Sequence, residues 1–192
     1  VVKGIELGKV HIDDVATISV DIEKDIPKLK RKAKYDIGVI FGIESYKNVP
    51  GVSFAKRDAV WMKKYFERIL NIPAKQIYFK TDMDVGQAEF SKVFSKDGWI
   101  DKRIKDGKSN VFIYYAGHGA PDIKQNKAYL IPYDGDPNYA SQTGYEMDAL
   151  YASLSKMDAK SVTVFLDACF SGANRNNEML LADARPVFME VD

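Results

Sequence analysis

The chain has 192 residues, 46% of them hydrophobic and 29% charged, which suits one globular α/β-sized domain with its own core. Its net charge is +1, with basic and acidic residues interspersed, so nucleic acid and anionic membrane surfaces are excluded as leading partners. No apolar run approaches the roughly 20 residues that span a bilayer, and Val1-Val2-Lys3-Gly4 lacks the blocks of a signal peptide. The chain therefore reads as soluble; its compartment stays open, with the cytoplasm only as a default.

Residues 1–35 mix short β-like pieces, Val10 to Ile12 and Ala16 to Val20, with the lysine-rich stretch Lys28 to Lys34. They read as an N-terminal arm and a solvated connector. From Asp36 the texture changes to Ile37-Gly38-Val39-Ile40-Phe41-Gly42, a continuous apolar run expected of a strand buried on both faces. Ser53 is the expected cap of a helix with apolar positions at Ala55, Ala59, Met62, Phe66 and Ile69, ended by Pro73. Gln76 to Lys80 predicts a second strand, and Val85 to Ile104 a helical stretch broken at Gly98.

Val111 to Tyr115 predicts a third strand running straight into Ala116-Gly117-His118-Gly119. Tyr129 to Ile131 is a short extended piece before a Pro/Asp/Gly-rich loop, Pro132 to Asn138, and Met147 to Met157 has helical periodicity. Val162 to Leu166 predicts a fourth buried strand that ends in Asp167-Ala168-Cys169-Phe170-Ser171-Gly172, and residues 173–192 read as a loop-like tail. Alternating strands and helices predict an α/β fold with a mostly parallel sheet and helices on both faces.

Cys169 is the sole cysteine, and the two histidines are His11 and His118. An internal disulfide and a multi-cysteine zinc site are thereby excluded, and a free thiol remains. Taken singly, a cysteine after an apolar strand is commonly a small buried hydrophobe, and a histidine there a structural or surface residue. Their conjunction says more. Each follows a buried strand in a glycine-containing turn, at the strand ends where open α/β sheets collect their chemistry. An imidazole that takes the thiol proton makes a nucleophile at neutral pH and can return the proton to a leaving amine. The backbone N–H groups of Gly119 and Cys169 are the candidate donors to the tetrahedral oxyanion.

Tyr115-Ala116-Gly117-His118-Gly119 and Asp167-Ala168-Cys169-Phe170-Ser171-Gly172 resemble the histidine and cysteine loops of the caspase-like peptidases, most closely metacaspases and their bacterial homologues. The caspase histidine stands about 50 residues upstream of its cysteine, and here the two are 51 apart. Val39-Ile40-Phe41-Gly42-Ile43 and Lys56-Arg57-Asp58-Ala59 are similar to the family's first strand and helix. The resemblance implies a three-layer caspase-like domain over 36–172, its large-subunit portion, acting as a cysteine endopeptidase on protein or peptide substrates. It also implies a six-stranded sheet. Four main strands are found here, so two more are expected from a following small-subunit segment of the same precursor.

Caspases carry glutamine where this chain has Asp167 and arginine where it has Phe170, which argues against cleavage after aspartate. By resemblance to metacaspases, Asp167 and Asp58 line a pocket for arginine or lysine, in keeping with the bidentate fit of guanidinium to carboxylate. Helix-dipole and loop-holding roles stand as the structural alternatives for Asp58 and Asp167. No cofactor is required by this chemistry and no metal ligand set is assigned. Calcium is a candidate effector by the same resemblance, but Asp122, Asp134, Asp136 and Asp148 lack the spacing of an EF-hand loop and read as solvated loop carboxylates.

Two other classes compete. A non-catalytic interaction or signalling module with this fold would not need the intact Cys169 and His118. A phosphate-binding α/β protein would need a glycine-rich loop, and no G-x-x-x-x-G-K-[ST] occurs.

Overall fold

The computed structural model describes residues 25–122, 125–168 and 170. The arm before residue 25, Cys169 and the tail from 171 lie outside them. Four strands, β1 (Ile37–Gly42), β2 (Ile77–Thr81), β3 (Asn110–Ala116) and β7 (Ser161–Asp167), form one parallel sheet in the order β2-β1-β3-β7. A second sheet, which the sequence did not announce, is antiparallel and made of β4 (Gly119–Asp122), β5 (Lys127–Leu130) and β6 (Tyr145–Glu146). The helices are α1 (Ala55–Arg68), α2 (Gln87–Phe94), α3 (Ala140–Thr143) and α4 (Met147–Leu154).

Alternation along the central strands explains the layers. Ile37, Val39 and Phe41 of β1, with Val111, Ile113 and Tyr115 of β3, face a core built with Phe90, Val93 and Phe94 of α2 and Leu150 and Leu154 of α4. The intervening Ile40, Tyr114 and Ala116 face the other way, against Ala55, Ala59 and Phe66 of α1. All six residues of β1 are buried. This is the α/β fold with helices on both faces of a parallel sheet that the periodicity predicts.

Helix α1 sits unusually close to β1 because glycine faces it. A Cβ at Gly42 would lie 2.4 Å from Cβ of Ala59 and 2.7 Å from the Ala55 carbonyl oxygen. Ser53 does not cap this helix. The cap position is Phe54, in the left-handed conformation (φ 71°) with no side-chain cap bond, and the carboxylate of Glu44 instead accepts the Lys56 N–H at 3.3 Å. A remote acid thus does the capping work expected of a local hydroxyl. The predicted stretch Val85 to Ile104 is helical only over α2, with turns from Ser95 onward.

The lysine-rich connector is held down rather than loose. Its lysines are exposed, but Leu29 N–H donates to Arg68 O (2.9 Å), Arg68 Nε to Ile26 O (2.9 Å) and Arg31 to Leu70 O (2.8 Å). Arg31 also pairs at 2.6 Å with Asp36, whose other carboxylate oxygen accepts from the backbone and side-chain nitrogens of Asn110. That buried clasp joins the connector to the amino ends of β1 and β3.

Gly42→Ala is expected to force α1 off the sheet. Overpacking of this kind costs about 1–3 kcal/mol, and each kcal/mol lowers the melting temperature of a chain this size by about 2–4 °C. Thermal unfolding with an unchanged midpoint would show that α1 does not press on Gly42.

Candidate active site

Parallel strands release their chains at one edge, and there β1, β3 and β7 deliver three loops side by side. Register aligns them: Gly42 pairs with Ala116, and Ala116 with Asp167. Gly117 N–H donates to Asp167 O at 3.1 Å, tying the histidine turn to the end of β7. His118 and Cys169 each follow a member of the Ala116–Asp167 pair by two positions.

The imidazole of His118 has a defined partner. Its Nε2 lies 2.8 Å from the carbonyl oxygen of Pro50. A carbonyl only accepts, so the contact assigns the proton of the neutral ring to Nε2 and leaves Nδ1 as the basic nitrogen. Tyr46 packs its ring on the imidazole at a centroid distance of 4.7 Å, and its hydroxyl accepts the His118 N–H at 2.6 Å. The His118 carbonyl accepts from Tyr115 OH (2.7 Å) and Ile131 N–H (3.0 Å). Across a trans peptide the N–H of Gly119 then points the opposite way, out of the β4–β5 ladder. Gly117 must be glycine here, for a Cβ would stand 2.5 Å from the Tyr46 hydroxyl oxygen and 2.8 Å from that of Tyr115.

The loop after β1, which brings Pro50 and Tyr46 to the histidine, is pinned at its start by one carboxylate and further on by Lys47 N–H to Tyr133 O (3.0 Å) and Val52 N–H to Glu44 O (2.9 Å). Oδ1 of Asp82, just past β2, accepts from Glu44 N–H (2.9 Å) and Ser45 N–H (3.0 Å), while Oδ2 pairs with Lys56 at 2.8 Å. Burial works to raise the pKa of Asp82, but the Lys56 ion pair and the two N–H donors outweigh it and hold the carboxyl below its usual range. Sequence inspection passed over Asp82, Tyr46 and Pro50. The Pro50-Gly51 turn was the one visible sign in that loop, and a main-chain carbonyl leaves no mark in a sequence.

Asp167 hydrogen-bonds to the phenol of Tyr114, and the negative charge of Asp58 acts on the same phenol. Tyr114, on the α1 face of β3, donates its hydroxyl to Asp167 Oδ2 at 3.4 Å. Burial, then the negative charges of Asp167 and Asp58, push the Tyr114 phenol well above its ordinary range. Asp167 is exposed and Asp58 half-buried. Phe170 lays its ring on Gly119, 2.6 Å from where a Cβ would be.

Of the acids considered for calcium, Asp134 accepts the Gln87 N–H (3.0 Å), Asp136 the Asn138 N–H (2.8 Å) and Asp122 the Gln125 N–H (3.1 Å). Among the described residues no group of three or more His, Cys, Asp or Glu is placed to hold a metal ion. No helix among them is long and apolar enough to cross a membrane.

The caspase-domain family model matches residues 36–186. The chain belongs to the caspase-domain family. That family consists of cysteine-type peptidases acting on proteins, and the parallel sheet with flanking helices described above is consistent with its fold. No curated protein matches the chain.

Asp82→Asn is expected to loosen the loop that carries Tyr46 and Pro50, and the effect depends on pH. Because the folded-state pKa is lowered, the carboxylate's contribution is full above the ordinary value of about 4 and is lost as pH falls below it. Wild type should therefore unfold at a higher temperature than Asp82→Asn at neutral pH, the two converging in acid. A constant difference from pH 7 to pH 2 would show that the clasp is not electrostatic.

Proposed function

We propose that this chain is a cysteine endopeptidase of the metacaspase kind that cuts after arginine or lysine, with Cys169 as nucleophile and His118 as acid/base. What supports the specificity is that Asp167, hydrogen-bonded to Tyr114 beside the turn that presents His118, and Asp58 both bring negative charge to bear on the same phenol. Two carboxylates of like sign near one half-buried site attract a cation and repel an acidic side chain. A guanidinium or ammonium is the complementary substrate group.

The chemistry follows from the histidine's geometry. Nδ1 of His118 accepts the Sγ proton of Cys169, and the thiolate adds to the scissile carbonyl carbon. Gly119 N–H, turned out of its ladder, and Cys169 N–H donate to the resulting oxyanion. Collapse breaks the C–N bond as the imidazolium protonates the leaving amine, leaving a thioester. Water, deprotonated by the same imidazole, then releases the acid and restores the thiol. The Pro50 carbonyl keeps Nε2 protonated throughout and stabilises the imidazolium when it forms.

In this reading the small-subunit segment of the same precursor adds strands beside β7. Among the described residues β7 has a neighbour on one side only, and its Phe165 is 42% exposed. An open apolar strand edge is a template for such pairing.

Fluorogenic peptides ending in Arg, Lys or Asp distinguish the readings when incubated with the full-length protein. Cleavage is expected after Arg and Lys and should vanish in Cys169→Ala. Charge-assisted hydrogen bonds are worth about 1.5–3 kcal/mol, so Asp167→Asn should lower kcat/KM on the Arg peptide roughly 10- to 100-fold. Cleavage after Asp, or cleavage that survives Cys169→Ala, would sink the proposal.

A further inference from the structure

His118 is gripped on its main chain as well as on its ring. Its N–H donates to the hydroxyl of Tyr46 at 2.6 Å, and its carbonyl accepts from Tyr115 OH at 2.7 Å. Those two hydroxyls also hydrogen-bond to each other. Tyr115 reaches on to the carbonyl of Ile131 at 3.0 Å, so the phenol pair joins three segments distant in sequence: the loop after β1, the histidine turn and the strand end beyond β5. Tyr46 touches both parts of His118, main chain through its hydroxyl and imidazole through its ring, 4.7 Å away and tilted by 45°.

We propose that Tyr46 is a positioning residue for the acid/base histidine, holding the imidazole so that Nε2 stays on the Pro50 carbonyl and Nδ1 is the working nitrogen. The inference rests on the peptidase reading for its consequence in catalysis, but not for its geometry. A histidine side chain has two torsions, and a hydrogen bond at Nε2 alone leaves the ring able to pivot about that contact. The Tyr46 ring closes one face of the imidazole. Its hydroxyl fixes the backbone N–H from which the side chain springs, and Gly117, with no Cβ, lets the hydroxyl come that close.

The phenol is needed as a phenol. Replacing it by Phe keeps the ring but leaves the His118 N–H without its acceptor, a loss of about 1–3 kcal/mol, while the Tyr115 hydroxyl keeps the carbonyls of His118 and Ile131. Burial first, then the negative charge of Asp82, raises the Tyr46 pKa, against the hydrogen bonds from Tyr115 and His118, which lower it. Tyr46 therefore stays neutral across the range in which a peptidase of this kind is assayed, and the grip is geometric rather than a pH switch. Tyr46 also packs against Ala120, Tyr129, Ile131 and Ala140, so an alanine variant would confuse positioning with loss of packing.

Tyr46→Phe in the full-length chain is the informative variant, with Tyr139→Phe, an exposed tyrosine, as control. Two measurements are made. Imidazole nitrogen NMR is tractable because the chain has only two histidines, which His11→Ala assigns. In wild type, His118 should show the Nε2-protonated tautomer, and in Tyr46→Phe that dominance should be lost while Tyr139→Phe leaves it intact. Steady-state cleavage of an Arg peptide should show kcat down about tenfold with KM within about twofold, the size expected for one unpaired hydrogen-bonding group. An unchanged His118 tautomer in Tyr46→Phe overturns the proposal whatever the rate does. A changed tautomer with unchanged kcat overturns it as well. If the wild-type chain cleaves nothing, the peptidase reading fails by itself, and the NMR measurement alone decides whether Tyr46 positions His118.

Discussion

The backbone register of β3 with its two neighbours is the constraint on which the rest of the site depends. Because β1, β3 and β7 run parallel, with Gly42, Ala116 and Asp167 aligned in register, their loops leave the sheet at one edge and at one height. A parallel sheet whose central strands, β1 and β3, are buried on both faces tolerates little slippage, since a shift of one residue would exchange the α1-facing set for the α2/α4-facing set. Ile40, Tyr114 and Ala116 cannot trade places with Val39, Tyr115 and Ile113 without emptying one core and overfilling the other. The site inherits its precision from that packing.

Charge is used differently at the two ends of the sheet. At the amino end, Asp36 is paired with Arg31 and hydrogen-bonded to Asn110, so its charge is spent within the fold. At the carboxyl end, Asp82 is likewise answered by Lys56 and two N–H donors. Asp58 and Asp167 both act on the phenol of Tyr114, raising its pKa together with burial. The same end carries His118, whose Nε2 is hydrogen-bonded to the Pro50 carbonyl, leaving Nδ1 as the acceptor of the neutral ring.

Much of this was legible in the sequence, and the limits have physical causes. The four parallel strands announce themselves as short apolar runs, but only β1 and most of β3 are buried, while β2 is half-buried and β7, expected as a buried strand, is half-buried to exposed. Gly117 stands out because glycine is required where the Tyr46 and Tyr115 hydroxyls press on the turn. The antiparallel sheet of β4, β5 and β6 was hidden: strands of two to four residues, one of them containing Pro121, carry too little periodicity. Ser53 has the right residue type for a cap, yet Glu44, eleven residues before the helix begins, takes the N–H instead. Pro50 acts through its main-chain oxygen and Tyr46 through a contact spanning 72 residues, and neither kind of interaction has a local signature. In the lysine-rich connector the lysines are solvated, as their composition suggests, while the backbone between them is anchored by bonds that leave no local signature.

The central claim is that His118, its tautomer set by Pro50, works as base on the thiol of Cys169. The most direct measurement is the pH dependence of Cys169 alkylation by iodoacetamide, in the full-length chain and in His118→Ala. A thiolate supported by an imidazolium reacts well below the ordinary thiol pKa of about 8.5. Wild type should therefore show a reactive limb below that value, and His118→Ala should lose it. A single titration near the ordinary thiol value in both proteins would contradict the pairing.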